Sequence, residues 1–150
     1  METIAAERFI AAPIEQVFEW CADTRNYGRS FWVLRNRWVR PGTDAPYGVG
    51  AVRRHLWMIG RFTERITRYD PPHAFDYLVE RSFPPSRHDG GTMTFTSEPG
   101  GTRVRWTSVG EVKAPFAAAT ITRLTTPIAA MVFGKILDAC AKDLGVSARR

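Results

Sequence analysis

From residue 31 to residue 112 apolar and polar positions alternate in short runs, and from Pro115 to Leu144 the period lengthens to that of a helix. The alternating part divides at clusters of Gly, Pro and Asp into strands at about 31–40, 49–58, 61–69, 74–82, 92–98 and 102–112. Ahead of them, Thr3 to Ala11 reads as another strand. Ala12-Pro13-Ile14-Glu15 then starts a helix whose apolar positions Val17, Phe18 and Cys21 recur at helical spacing. Asp23 or Thr24 is placed to cap a second short helix through Asn26 and Tyr27. In the last segment Phe116, Thr120, Leu124, Ile128, Met131, Val132, Ile136, Ala139 and Cys140 form a stripe of i, i+3, i+4 steps. Pro127 interrupts it, so either Thr126 caps a new helix with Pro127 in its first turn or one helix kinks; the capped start is expected.

Seven strands wrapping one long helix predict an α+β architecture, a curved antiparallel sheet around the C-terminal helix. Such a sheet encloses more width than its own side chains fill, which implies a ligand cavity. At 150 residues and 44% hydrophobic content the chain is expected to form a single domain over 1–150. The first thirty residues lack the basic-then-apolar order of an export signal. The most apolar late window, Ile128 to Ala139, is short and carries Lys135, so no stable membrane insertion and a cytoplasmic location are expected. Cys21 and Cys140 have no metal-type spacing and read as reduced core thiols.

The net charge of +6 comes from 18 arginines against three lysines, dispersed along the chain. Arg35, Arg37 and Arg40, with Trp32 and Trp38 among them, imitate the signature of a single-strand binder, but their period of two reads as the polar face of a strand, so no nucleic acid is expected. An acidic headgroup or an anionic surface stays open as a partner for the basic residues, and so does a homodimer.

The order strand, two short helices, six strands, long helix is that of the helix-grip fold. The chain resembles the START and polyketide cyclase/dehydrase-like (SRPBCC) superfamily in Ile10-Ala11-Ala12-Pro13 with Val17-Phe18, in Gly60 followed by Glu64-Arg65-Ile66 and Asp70-Pro71-Pro72, in Gly101-Thr102-Arg103-Val104-Arg105-Trp106, and in the terminal helix. The resemblance covers nearly the whole chain. It implies a cavity for a hydrophobic ligand between sheet and helix, and leaves open what is done there.

The turns set which side chains face that cavity. A two-residue turn at Ile59-Gly60 puts Trp57 opposite Phe62, His55 opposite Glu64 and Arg53 opposite Ile66. Arg61, Thr63, Arg65 and Thr67 form a wet face, so Phe62, Glu64 and Ile66 point inward. Carrying that face across Asp70-Pro71-Pro72 adds Phe75, Tyr77, Val79 and Arg81. A Pro99-Gly100 turn sets Val104 against Phe95 and Trp106 against Met93. A one-residue slip at the first turn would instead turn Val52, Arg54, Leu56 and Met58 inward.

The expected lining is therefore aromatic with one polar cluster. Glu64, His55 and Tyr77 are the catalytic candidates; Arg53, Trp57, Phe62, Arg81, Met93, Phe95 and Trp106, roofed by Thr120, Leu124, Ile128 and Met131, are the ligand-binding ones. A carboxylate in an apolar cavity must be paired or protonated, so Glu64 needs His55 or an arginine. Such a group can orient a ligand, remove a proton beside a ketone while Tyr77 holds the enolate oxygen, or merely satisfy itself. His88-Asp89 falls in a Pro- and Gly-rich loop, where His88 is either a solvated residue or one at the cavity mouth that gates entry or acts as an acid, and His73 falls in a turn. Three scattered histidines give no metal set, no elbow or phosphate loop occurs, and neither metal nor cofactor is expected. The leading expectation is a binder of a polyketide, lipid or quinone-like molecule. The alternatives are a cofactor-independent cyclase/dehydratase and a basic adaptor for an acidic partner.

Overall fold

Inward and outward residues alternate along most of one antiparallel sheet, which the computed structural model describes over residues 1–150. The elements are β1 (Glu2–Ile10), α1 (Ile14–Ala22), a 3-10 helix (Thr24–Arg29), β2 (Val33–Arg40), β3 (Val52–Trp57), β4 (Gly60–Asp70), β5 (Ala74–Phe83), β6 (Ser86–Glu98), β7 (Gly101–Val112), α2 (Ala118–Asp143) and β8 (Ala148–Arg149). Their order in the sheet is β2-β3-β4-β5-β6-β7-β1-β8. Seven strands were expected from the alternation; the eighth is the two-residue β8, too short to carry a period, which pairs Ala148 with Ile10 at the edge of β1.

Pro13 precedes the first turn of α1 in extended conformation, and Glu15 in that turn complements the helix dipole. Asp23 caps the 3-10 helix, its carboxylate accepting from the Arg25 amide at 3.2 Å. Helix α1 buries Val17, Phe18 and Cys21 against the sheet. There Phe18 meets Phe95 and Phe75 edge-on, at centroid distances of 5.1 and 5.9 Å, and Met93 and Val104 close the space between. Cys21 and Cys140 are both buried and unbridged.

Helix α2 is continuous through Pro127. The expected cap at Thr126 is not formed, because the threonine hydroxyls turn back instead of forward. Thr126 Oγ1 donates to the Thr122 carbonyl at 2.7 Å, Thr125 Oγ1 to Ile121 at 2.9 Å and Thr122 Oγ1 to Ala118 at 2.8 Å. These bonds satisfy carbonyls in the turns just before the proline and carry the helix across it. Val132, Ile136, Leu137 and Cys140 are fully buried on the sheet. By length and apolar content α2 also meets the requirement for crossing a bilayer, which the shorter window read from sequence did not suggest; here its C-terminal half is packed on the strands.

The β3–β4 turn is at Met58-Ile59, one residue before the expected position, so Trp57 pairs with Gly60, His55 with Phe62 and Arg53 with Glu64. This slides the pairing by two residues, and because side chains alternate with period two the inward set is unchanged. The β6–β7 register is as expected, Met93 opposite Trp106 and Phe95 opposite Val104. Strand β6 begins at Ser86, taking in the stretch read as a loop around His88.

Candidate ligand cavity

Beyond the packed aromatic cluster, the sheet and the N-terminal half of α2 enclose a cavity of about 420 Å³. Trp106 and Phe133 stack at 3.9 Å on one side of it, and Trp57 stands perpendicular to both at 6.3 Å. Ile4, Ile59, Phe62, Val79 and Ile121 complete an apolar wall. The polar end is formed by His55, Glu64, Tyr77, His88 and Ser108.

Strands β3 and β4 bring three charged or titratable groups onto one carboxylate oxygen. Arg53, 1% exposed, donates from Nε to Glu64 Oε1 at 3.0 Å and from Nη2 to the same oxygen, while its Nη1 reaches the Ala22 carbonyl at 3.3 Å. His55 Nε2 lies 2.9 Å from that oxygen, in contact with the carboxylate, while Nδ1 of this buried histidine has no hydrogen-bond partner. Burial pushes the Glu64 carboxyl up; the His55 imidazole and the Arg53 guanidinium outweigh it and hold the group at about 2. An ionised carboxylate of that acidity is a weak base. Glu64 is therefore suited to fixing Arg53 and His55, and poorly suited to removing a proton from a ligand.

On β5, Tyr77 is seated by a close approach. Its ring crosses Gly91 of β6 so tightly that a Cβ there would lie 2.1 Å from Cζ, which leaves glycine as the residue that fits. Trp106 Nε1 donates to Tyr77 Oη at 2.7 Å. Burial, and then the Glu64 charge, raise the phenol well above its usual range, so it remains a protonated donor. His88 stacks on the same ring at 5.6 Å. Its Nδ1 accepts from the Val79 amide at 3.0 Å, so Nε2 carries the proton and donates to Ser108 Oγ at 2.6 Å. Burial lowers the His88 pKa and keeps the ring neutral.

Residues 1–144 match the family described as polyketide cyclase / dehydrase and lipid transport. The chain belongs to that family. Among curated proteins none matches it. Solved structures similar to this polyketide cyclase-like chain include one from Thermus thermophilus, 20% identical with a TM-score of 0.78 over 94% of this chain and 95% of that one. A START superfamily protein from Mycobacterium smegmatis is 13% identical with a TM-score of 0.75 over 95% and 98%. DynU16, a protein in the dynemicin biosynthetic locus, is 13% identical with a TM-score of 0.66 over 97% of this chain and 48% of its own. At these identities the likeness is one of fold: this is a START-like, helix-grip chain.

Of the residues singled out from the sequence, the structure places His55, Glu64, Tyr77, Trp57, Phe62 and Trp106 around the cavity. Arg53 lies behind Glu64, buried and away from the lining. Met93 and Phe95 face inward but belong to the filled end beneath α1. Arg81 points outward: a bulge lets Thr63 pair with Arg81 and Glu64 with Val79, so the inward parity of β5 breaks after Val79. Thr120, Leu124 and Met131 are exposed, Leu124 by 68%. Of the expected roof Ile128 does border the cavity; the face of α2 that covers it is otherwise the row Ile121, Thr125, Ala129, Phe133, which has equally good i, i+4 spacing but was hidden by its small and hydroxylated members. His88, read from the sequence as a loop residue that is either solvated or at the cavity mouth, lines the polar end of the cavity, while Ser108 had no signal in the sequence. A bulge between His88 and Gly90 turns His88 inward, and the Gly90-Gly91 pair read as loop punctuation serves that bulge and the Tyr77 ring.

Proposed function

We propose that this chain binds an apolar, ring-bearing or elongated small molecule carrying an oxygen function, its body between Trp57, Trp106 and Phe133 and its oxygen at His55 and Tyr77. The observation that carries this reading is a hollow with aromatic walls at whose polar end the fully buried His55 imidazole keeps an unpartnered Nδ1. Buried polar nitrogens are nearly always paired, so a ligand oxygen or ordered water completes the site. Polyketides, lipids and quinones share this chemistry. An anilinonaphthalene probe should bind the freshly purified chain, and native mass spectrometry should show an apolar adduct. Ala129→Phe, which fills the space under α2, should abolish both with the circular dichroism unchanged; undiminished binding by that variant would refute the proposal.

A cyclase or dehydratase reaction is the second reading, favoured by the un-ionised Tyr77 phenol beside the neutral His88–Ser108 pair. It assigns proton transfer to these groups and leaves Glu64 a positioning role. Tyr77→Phe should then abolish turnover of poly-ketone substrates while binding persists; equal turnover would remove Tyr77 from the chemistry.

A further inference from the structure

The outer face of the same strands carries charge with no internal answer. Arg54 of β3 lies opposite Arg37 on β2 and Thr63 on β4, and Thr63 lies opposite Arg81 on β5. Two residues along, Arg35, Leu56, Arg61 and Phe83 form a second row across the same four strands. These residues, with Ser82 and parts of His55 and Phe62, border a groove of about 520 Å³. No carboxylate lines it. None of its five arginines belongs to a salt bridge. Further along the same face the arginines are matched: Arg65 with Glu80 at 2.5 Å and Arg68 with Asp76 at 2.9 Å.

Like charges directly opposite across a strand pair oppose folding, so the Arg37–Arg54 pair works against the sheet unless something outside compensates it. All five cations are arginines, whose planar forks match the oxygens of a phosphate in pairs. Thr63 stands between Arg54 and Arg81 with a hydroxyl to donate, and strands about 4.8 Å apart bring those three within reach of one group. Beside them the exposed Leu56 and the Phe83 ring, with the Arg61 guanidinium 5.4 Å above it, give an apolar and aromatic surface.

We propose that this groove is a binding site for an organic phosphate bearing at least two phosphoryl charges, with its phosphates among Arg37, Arg54, Thr63 and Arg81 and its apolar or aromatic portion over Leu56 and Phe83. The site is on the outer face of the sheet, its arginines all outside the cavity, although His55 and Phe62 border both spaces. The same phosphate chemistry is offered by a free phosphate ester and by a lipid headgroup.

Titration calorimetry of the full chain with inorganic pyrophosphate and with ADP at low salt tests the proposal. Binding should weaken about tenfold or more in Arg54→Gln/Arg81→Gln and persist in Arg105→Gln, which removes an exposed charge from distant β7. The anions should raise the melting temperature of the native chain and not of the double variant, a readout independent of probe binding in the cavity. Vesicles of phosphatidic acid in phosphatidylcholine identify the source: cosedimentation displaced by pyrophosphate marks a headgroup site, and binding of the free anions without cosedimentation marks a soluble ester. The proposal is overturned if neither anions nor vesicles bind. It is overturned equally if Arg105→Gln weakens binding as much as the double variant does, or if single-stranded oligonucleotides bind more tightly as they lengthen.

Discussion

The two ends of the interior are built on the same sheet and roofed by the same helix, yet one is full and the other hollow. Beneath α1 and the C-terminal half of α2, Phe18, Phe75, Met93, Phe95, Ile136 and Leu137 interlock with almost no exposed surface. Beneath the N-terminal half of α2, the row Ile121, Thr125, Ala129 offers side chains too short to meet Trp57 and Trp106 across the gap. The threonine hydroxyls there are engaged with their own helix. Whether a helix-grip interior is solid or open is thus decided by the volume of a few residues on one helix face, not by the topology of the sheet. The Arg53–Glu64–His55 cluster sits at the seam, where it satisfies the packed side through the Ala22 carbonyl and presents His55 to the open side.

The comparison can be broken first at the filled end. Phe95→Ala should cost about 3–5 kcal/mol in urea denaturation, whereas Ile121→Ala, whose side chain already borders empty space, should cost under about 1 kcal/mol; similar losses at the two positions would mean the ends are packed alike. At the seam, Arg53→Met leaves the buried Glu64 carboxylate with His55 alone beside it and should cost about 3 kcal/mol, most of it recovered in the Arg53→Met/Glu64→Met pair. A double variant no more stable than the single one would show that the cluster does not act as an ion pair.

The pH dependence sharpens the picture in the same place. Glu64 is held at about 2 against 4.5 in the unfolded chain, so its contribution is complete above about 4.5 and is lost as the pH falls toward 2. His88 is held below its unfolded value of 6.5, so unfolding takes up a proton and stability begins to fall once the pH drops below about 6.5. Denaturation midpoints measured from neutral to acid pH should therefore decline in two stages, the upper absent in His88→Gln and the lower in Glu64→Gln. The smallest effect is expected for Ala129→Phe, which should change stability by no more than about 1 kcal/mol because it enters unoccupied space. A loss of several kcal/mol would show that space to be closed to a guest of that size.

Alternation carried most of the fold: the inward positions of β3, β4 and β7 follow from period two and survive even the misplaced β3–β4 turn, because a slip of two residues keeps parity. What alternation cannot carry is a bulge. The irregularities beside Glu64 and His88 reverse parity within a strand, sending Arg81 out and His88 in, and nothing in the local run of residue types marks them except glycines that serve turns equally well. On α2 the apolar stripe pointed to Leu124 and Met131, since hydrophobicity locates a packed face. A cavity roof is recognised instead by residues that fail to fill it, and Thr125 and Ala129 looked polar or neutral for that reason.

Pro127 has a further consequence. It offers no amide to the Arg123 carbonyl, so the rung joining the two halves of α2 is missing at the point where the helix passes from solid support to empty space. Local fraying of residues 118–126 can stop at this missing rung, and their amide protons should exchange well ahead of those at 132–140. A helix hinged at this loosened turn gives a molecule a way into the interior that leaves every strand zipped.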